Sequence, residues 1–170
     1  MLLKTEIAQA VETQQQQLFT QKTYPRQMLE KINILPNFAL VVSGIRRSGK
    51  STLLAQLIEK QEQNNYLFLN FDTPKLFNFE FNDFALLDEI IAEKPQIQTL
   101  YFDEIQIIEG REVYVRGKLD QGFQVVVTGS NASLLSRELG TKLTGRHISK
   151  ELFPFSFMEF CEFLSKEKKC

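Results

Sequence analysis

The segment G-I-R-R-S-G-K-S at residues 44–51 has the residue types and the spacing of a phosphate-binding loop. Its two glycines let the backbone curl so that successive N–H groups converge on phosphate oxygens. Lys50 can reach the β- and γ-phosphates of a nucleotide, and the Ser51 hydroxyl can ligate Mg²⁺. The alternative is a glycine turn without a ligand. An apolar strand at 38–42 precedes the loop and a helical pattern follows it, which favours the phosphate site.

Two adjacent carboxylates, Asp103 and Glu104, close the apolar strand predicted at 98–103. Asp103 can hold the Mg²⁺ shell opposite Ser51. Glu104 can orient and deprotonate an attacking water, which typically contributes about 10²–10⁴-fold in rate. An Asp-Glu pair at a strand end is common by itself. Together with the upstream loop, it predicts one metal site suited to phosphoryl transfer.

A third polar group follows the apolar strand predicted at 124–129. Ser130 and Asn131 come directly after this strand, where a polar side chain can sense a γ-phosphate or position a water. Serine and asparagine are also ordinary helix caps, and a short helix is predicted at 132–139. Both interpretations are open at this stage.

Strand and helix patterns alternate along the chain, which predicts an α/β fold with helices on both faces of a mainly parallel sheet. The predicted strands lie at 38–43, 66–71, 98–103, 124–129 and 148–153. A first helix over 2–20 either packs on the domain edge or serves oligomerisation. The charged face of a helix at 110–121 is expected to be solvated. Ligands of parallel sheets bind at the carboxyl ends of the strands, where the loop and the acids both fall.

The net charge, the cysteines and the distribution of apolar residues disfavour several classes of protein. The 170 residues carry a net charge of −1, so bulk charge does not support nucleic-acid binding. Cys161 and Cys170 lack metal-ligand spacing, and we expect them to be reduced bystanders. No apolar run approaches the roughly 18 residues that span a bilayer, and the start has no signal-peptide core. We therefore expect a cytoplasmic protein that does not bind a membrane.

With these residues laid out, the sequence resembles the N-terminal ATPase domain of a prokaryotic AAA-type P-loop family, whose core is followed by a C-terminal domain of uncharacterised function. The resemblance rests on four segments, and the last two are the more family-specific. These are G-I-R-R-S-G-K-S at 44–51, L-Y-F-D-E-I-Q at 100–106, V-V-V-T-G-S-N-A-S-L-L-S at 125–136, and L-T-G-R at 143–146 followed by L-F-P-F-S-F-M-E-F at 152–160.

The resemblance implies ATP and Mg²⁺ as cofactors and assigns roles to residues. The implied nucleotide-binding residues are Gly44, Ile45, Arg46, Arg47, Ser48, Gly49, Lys50, Ser51 and Thr52. Asp103 and Ser51 match the metal-binding positions, and Glu104 matches the catalytic glutamate. Ser130 or Asn131 matches a phosphate sensor. Arg146 matches a family arginine that by analogy is a sensor in its own subunit or an arginine finger for a neighbour; the other interpretation is a solvated loop arginine.

The resemblance also implies a three-layer α/β/α sandwich with strand order 5-1-4-3-2. We expect a helical extension at 1–36, the ATPase core at 37–155, and at 156–170 the start of a C-terminal domain that this chain lacks. Two functions follow: Mg²⁺-dependent ATP hydrolysis, or a nucleotide-gated binding module with negligible turnover. A GTPase is disfavoured because no N-K-x-D motif occurs. Besides ATP or ADP, the partners to consider are a second copy of the chain and an unknown protein or DNA.

Overall fold

The computed structural model describes residues 2–20, 23–61, 64–130, 142–143 and 145–167. Five strands form one sheet in the order β2-β3-β4-β1-β5, and every neighbouring pair is parallel. This confirms the predicted strand order. The strands are β1 Ala39–Ser43, β2 Tyr66–Asn70, β3 Thr99–Asp103, β4 Gln124–Gly129 and β5 His147–Glu151.

The described helices cover both faces of this sheet. They are α1 Lys4–Gln17, α2 Lys50–Gln61, α3 Phe84–Ala92, α4 Arg111–Asp120 and α5 Phe157–Glu167. Short 3₁₀ turns occur at Gln27–Lys31, Pro74–Leu76, Phe81–Asp83 and Ile105–Ile107. Asn131 and the helix predicted at 132–139 lie outside the described residues. Within the ranges described, no helix has both the length and the apolar character needed to cross a membrane.

The strands divide their side chains between two hydrophobic cores because successive residues point to opposite faces of a sheet. Val41 and Val127 belong to the core that contains α1, α3 and α4. Leu40 and Val126 belong to the second core, which is formed with α2. Both faces of the central strands are therefore buried, which explains their nearly unbroken apolar sequence. This arrangement confirms the three-layer sandwich.

Helix α1 lies along the edge strand β2 and contributes to the larger core through Ile7 and Val11, which are fully buried. Its Gln14 side chain pairs with the backbone of Asn70, the last residue of β2. Gln14 Nε2 donates to the Asn70 carbonyl at 3.1 Å, and the Asn70 N–H donates to Gln14 Oε1 at 2.7 Å. An unpaired strand edge is open to unwanted pairing. Gln14 therefore supplies hydrogen bonds that this edge would otherwise lack.

We predict that Gln14→Leu destabilises the protein by about 1–3 kcal/mol, because both Asn70 backbone groups then lose their partner. Urea unfolding followed by circular dichroism measures the change. The matched control is Gln16→Leu, the same substitution at an exposed position of α1. Equal losses in the two variants would show that the pairing with β2 contributes nothing specific.

The expectation of a solvated charged face on α4 was wrong for three residues, since Arg111, Glu112 and Lys118 are buried. Lys118 Nζ lies 2.6 Å from Asp88 Oδ1 of α3, and 5.3 Å from the ring centres of Tyr114 and Phe123. Burial is tolerated because the charge has both an ionic partner and aromatic neighbours. The partner on α3 is distant in sequence, so the charge pattern of α4 alone did not indicate it.

Candidate functional site

The glycine loop joins the carboxyl end of β1 to the start of α2, and its backbone requires both glycines. A Cβ atom at Gly44 would lie 2.3 Å from the carbonyl oxygen of Leu152, too close for any other residue. Gly49 has a φ of +93°, which L-residues rarely adopt. The first N–H groups of α2 lack partners within the helix and face the loop. The predicted strand, loop and helix are thus present in sequence order.

Lys50 lies in the hollow of this loop and is 4% exposed. Its ammonium donates hydrogen bonds to the carbonyl oxygens of Gly44 and Ile45, each at 3.2 Å. It also lies 3.4 Å from Oε1 of Glu104. The Ser48 hydroxyl is buried nearby and has no hydrogen-bond partner among the described residues. The loop therefore surrounds the buried ammonium group of Lys50, and an anionic ligand could contact this group and the polar groups beside it.

Asp103 ends β3, is fully buried, and accepts hydrogen bonds from three neighbouring elements. Ser51 Oγ donates to its Oδ2 at 2.6 Å, and Asn70 Nδ2 donates to the same oxygen at 2.9 Å. Thr128 Oγ1 donates to its Oδ1 at 2.5 Å. Burial raises the pKa of Asp103, while the hydrogen bonds from Ser51 and Thr128 oppose that shift. The structure brings Ser51 and Asp103 together, as the sequence predicted.

The Ser51–Asp103 pair fits a Mg²⁺ ion in its chemistry. Mg²⁺ takes oxygen ligands, usually one or two carboxylates together with waters and substrate phosphates. A buried carboxylate and a hydroxyl that already contact each other can supply the protein's share of that shell. Burial raises the pKa of Asp103, and a bound cation would favour the ionised form.

Glu104 follows β3 in a left-handed conformation with φ +55°, and its N–H donates to Thr128 Oγ1 at 2.9 Å. Its Oε2 accepts hydrogen bonds from Gln106 Nε2 at 2.5 Å and from Ser130 Oγ at 3.0 Å. Its Oε1 faces the Lys50 ammonium. Burial by itself would raise the pKa of Glu104, but the Gln106 hydrogen bond and the Lys50 charge lower it overall. The carboxylate is therefore ionised and held in one orientation.

Arg26 precedes the first 3₁₀ turn and is a buried residue that contacts the glycine loop. Its guanidinium donates to the carbonyl oxygens of Ser48 at 2.7 Å and Phe153 at 2.6 Å. Its Nε lies 3.1 Å from Oε1 of Glu159, on α5. One side chain thus connects the N-terminal segment, the loop and the C-terminal helix.

A cavity of about 380 Å³ lies beside the loop, on the side of Arg26. Its lining residues are Tyr24, Arg26, Arg47, Ser48, Gly49, Thr52, Pro154 and Phe155. Arg46 extends away from it, with its side chain 82% exposed and 3.5 Å from Asp72. The two loop arginines therefore differ, because only Arg47 borders the cavity.

Arg146 is not at this site. Its carbonyl oxygen accepts a hydrogen bond from the Ala39 N–H, so it lies at the amino end of β1, whereas the loop follows the carboxyl end. The two ends of this strand are about 13 Å apart. Its guanidinium lies 2.8 Å from Asp120 Oδ1. This placement contradicts a sensor role within the same subunit. A role toward a neighbouring subunit stays a prediction.

Four residues that contact the site were missed from the sequence: Asn70, Gln106, Thr128 and Arg26. Asn70 and Thr128 lie at or near the carboxyl ends of strands on either side of β3, so the strand-end rule could have identified them. Gln106 and Arg26 carry no comparable signal, because their contacts depend on turns and on distant segments.

The fold and the loop together define a P-loop domain of the AAA type. The chain belongs to the AAA domain family, since residues 36–161 match that family's model. It is 35% identical over 133 residues to an uncharacterised protein of Methanocaldococcus jannaschii, covering 78% of this chain and 30% of the relative. It is 41% identical over 135 residues to an uncharacterised protein of Haemophilus influenzae, covering 73% and 33%. The chain therefore spans about a third of the length of these relatives.

Solved structures share the fold at low sequence identity. PCH-2 of C. elegans is 18% identical with a TM-score of 0.55, covering 98% of this chain and 46% of that one. AMPPCP-bound DnaA from Aquifex aeolicus is 15% identical with a TM-score of 0.51, covering 100% and 54%. The S. cerevisiae Hsp104-ADP complex is 15% identical with a TM-score of 0.60, covering 92% and 26%.

Proposed function

We propose that this chain is a Mg²⁺-dependent ATPase domain. The observation that carries the proposal is the meeting of Lys50, Ser51, Asp103 and Glu104 at the carboxyl edge of the sheet. Phosphoryl transfer to water uses a cation beside the phosphates, ligands for a metal ion and a carboxylate that orients the water. The Lys50 ammonium, the Ser51–Asp103 pair and Glu104 are suited to these three roles. Adenine nucleotides are the preferred ligands because the similarly folded DnaA and Hsp104 structures contain AMPPCP and ADP.

In the proposed reaction, a water oxygen attacks the γ-phosphorus as the bond to the β–γ bridging oxygen breaks, and ADP leaves. Glu104 Oε1 accepts the proton of the attacking water. Lys50 and the loop N–H groups stabilise the negative charge on the γ-phosphoryl oxygens. Ser51 and Asp103 would hold Mg²⁺, which would supply further charge neutralisation.

The cavity beside the loop is the proposed place for the base and ribose of the nucleotide. It borders Ser48, Gly49 and Thr52, so a ligand whose phosphates lie in the loop can extend into it. Tyr24 and Phe155 supply aromatic surface on its wall, with their ring centres 5.9 Å apart. Aromatic side chains favour contact with a flat purine ring.

Binding is tested by thermal or urea unfolding with and without Mg-ATP. Nucleotide at about 100 times its Kd should stabilise the protein by roughly 2.7 kcal/mol, since only the folded state binds it. Lys50→Ala should lose most of this effect. If no adenine or guanine nucleotide with Mg²⁺ shifts the unfolding of the wild type, the proposed function is wrong.

The second candidate is a nucleotide-gated binding module with negligible turnover. It is favoured by the position of Arg146, away from the loop of its own chain, because an arginine supplied to the site can be worth about 10³–10⁵ in rate. Phosphate release measured in the same samples separates the two candidates. Four further points stay predictions. They are the cellular task to which nucleotide hydrolysis is coupled, a protein or DNA partner, assembly into a homo-oligomer, and a cytoplasmic location.

A further inference from the structure

We propose that Gln106 is a positioning residue for hydrolysis, which holds the Glu104 carboxylate with one oxygen directed toward the phosphate site. The proposal rests on the ATPase function proposed above. Gln106 lies in the 3₁₀ turn that follows β3, two residues after Glu104. It acts on the reaction through Glu104.

The two oxygens of Glu104 have different neighbours among the described residues. Gln106 Nε2 and Ser130 Oγ both donate to Oε2, at 2.5 and 3.0 Å. Within the part of the chain that the structure describes, Oε1 faces the Lys50 ammonium at 3.4 Å, longer than the usual charge-assisted hydrogen bond. Of the described residues, Gln106 and Ser130 therefore orient the carboxylate plane through Oε2.

Gln106 and Ser130 also contact each other, which makes a closed arrangement of three side chains. Gln106 Nε2 lies 3.1 Å from Ser130 Oγ, so the hydroxyl accepts from Gln106 while it donates to Glu104. The arrangement connects the turn after β3 to the end of β4. Each member restricts the rotamers of the other two, which is how supporting residues fix the geometry of a reactive group.

A bound γ-phosphate would attract the Lys50 ammonium, because phosphate carries more charge than the carboxylate. Oε1 would then be free to accept a proton from water, while Oε2 keeps its two donors. Without Gln106, the carboxylate could rotate and follow the ammonium. A misplacement of about 1 Å in a reacting group can cost about 10²-fold in rate. Gln106 therefore contributes to turnover without contacting the nucleotide.

The test compares kcat and KM for ATP in the wild type, Gln106→Leu and Ser130→Ala. We expect kcat to fall about 10- to 100-fold in Gln106→Leu, with the stabilisation by Mg-ATP unchanged. Ser130→Ala should lower kcat in the same direction, and Ser130→Thr, which keeps the hydroxyl, should recover most of it. Gln16→Leu is the matched control and should keep the kcat of the wild type.

The decisive comparison repeats Gln106→Leu in a Glu104→Gln background. If Gln106 acts through Glu104, the second substitution adds little to the loss, whereas a general structural role would lower the residual rate by the same factor again. The proposal is overturned if Gln106→Leu keeps the wild-type kcat, or if its effects multiply with those of Glu104→Gln. Absence of turnover in the wild type would instead reject the ATPase function on which the proposal rests.

Discussion

Glu104→Gln should lower the rate of phosphate release by about 10²-fold or more, because an amide cannot accept the proton of the attacking water. The affinity for Mg-ATP should remain close to that of the wild type. The substitution preserves shape, and the new amide oxygen can still accept from Gln106 and Ser130, so the local arrangement should persist. Single-turnover phosphate release, combined with unfolding in the presence of Mg-ATP, measures the two quantities separately.

Two further variants make this result specific. Lys50→Ala should lose both binding and turnover, since the buried ammonium faces the loop that would hold the phosphates. Glu12→Gln makes the same chemical change at an exposed position of α1 and should leave turnover unchanged. Turnover that is equal in the wild type, Lys50→Ala and Glu104→Gln would mean that the measured activity does not come from this site.

The sequence alone was sufficient to predict those parts of the site whose residues are close together in the chain. The loop at 44–51 is continuous, and Asp103 and Glu104 directly follow an apolar strand. In a parallel sheet the carboxyl ends of the strands share one edge, so these groups could be placed together before any contact was known. The order of the strands came from the resemblance, because periodicity does not say which strands are neighbours.

The position of Arg146 follows from the same topological rule. Its segment precedes β5, and the start of a parallel strand lies at the amino edge of the sheet, opposite the ligand edge. The predicted strand at 148–153 was therefore already an argument against a sensor role within one subunit. The family analogy left a sensor or arginine-finger role and a solvated loop arginine open side by side.

Other features could not have been predicted, because they depend on side chains brought together from distant segments. Lys118 is buried because Asp88 lies opposite on another helix. Gln14 belongs to the run of glutamines at 14–17, yet its side chain pairs with the edge of β2. Composition and spacing report the polarity of a residue, whereas its burial is set by the elements that pack against it.

The pair formed by Arg26 and Glu159 is the most consequential of these features, because both side chains are only about 6% exposed. Besides Arg26, Glu159 accepts hydrogen bonds from the backbone N–H groups of Gln27 at 3.0 Å and Ser156 at 2.8 Å. Burial alone would raise the pKa of Glu159, but these N–H groups and the Arg26 guanidinium lower it overall. The carboxylate is thus ionised inside the protein and depends on its partners.

Arg26→Met should destabilise the fold by about 3–5 kcal/mol, because removing one member of a buried pair leaves the other charge unpaired. The carbonyl oxygens of Ser48 and Phe153 also lose their donor. Glu159→Gln should cost less, since its amide oxygen can take the place of Oε1 and accept from Arg26 and Gln27, so that only the Ser156 N–H loses its acceptor. Urea unfolding monitored by circular dichroism gives both values.

The matched control is Arg116→Met, because Arg116 is exposed on α4 and substitutions at such positions usually change stability by no more than about 0.5 kcal/mol. Arg26 also fixes the Ser48 carbonyl behind the phosphate loop, so a folded Arg26→Met variant should bind Mg-ATP more weakly than the wild type. The Glu159→Gln variant, which keeps Arg26, should retain more of that affinity. An unfolding midpoint of Arg26→Met equal to that of Arg116→Met would show that the pair does not hold the N-terminal segment, the loop and α5 together.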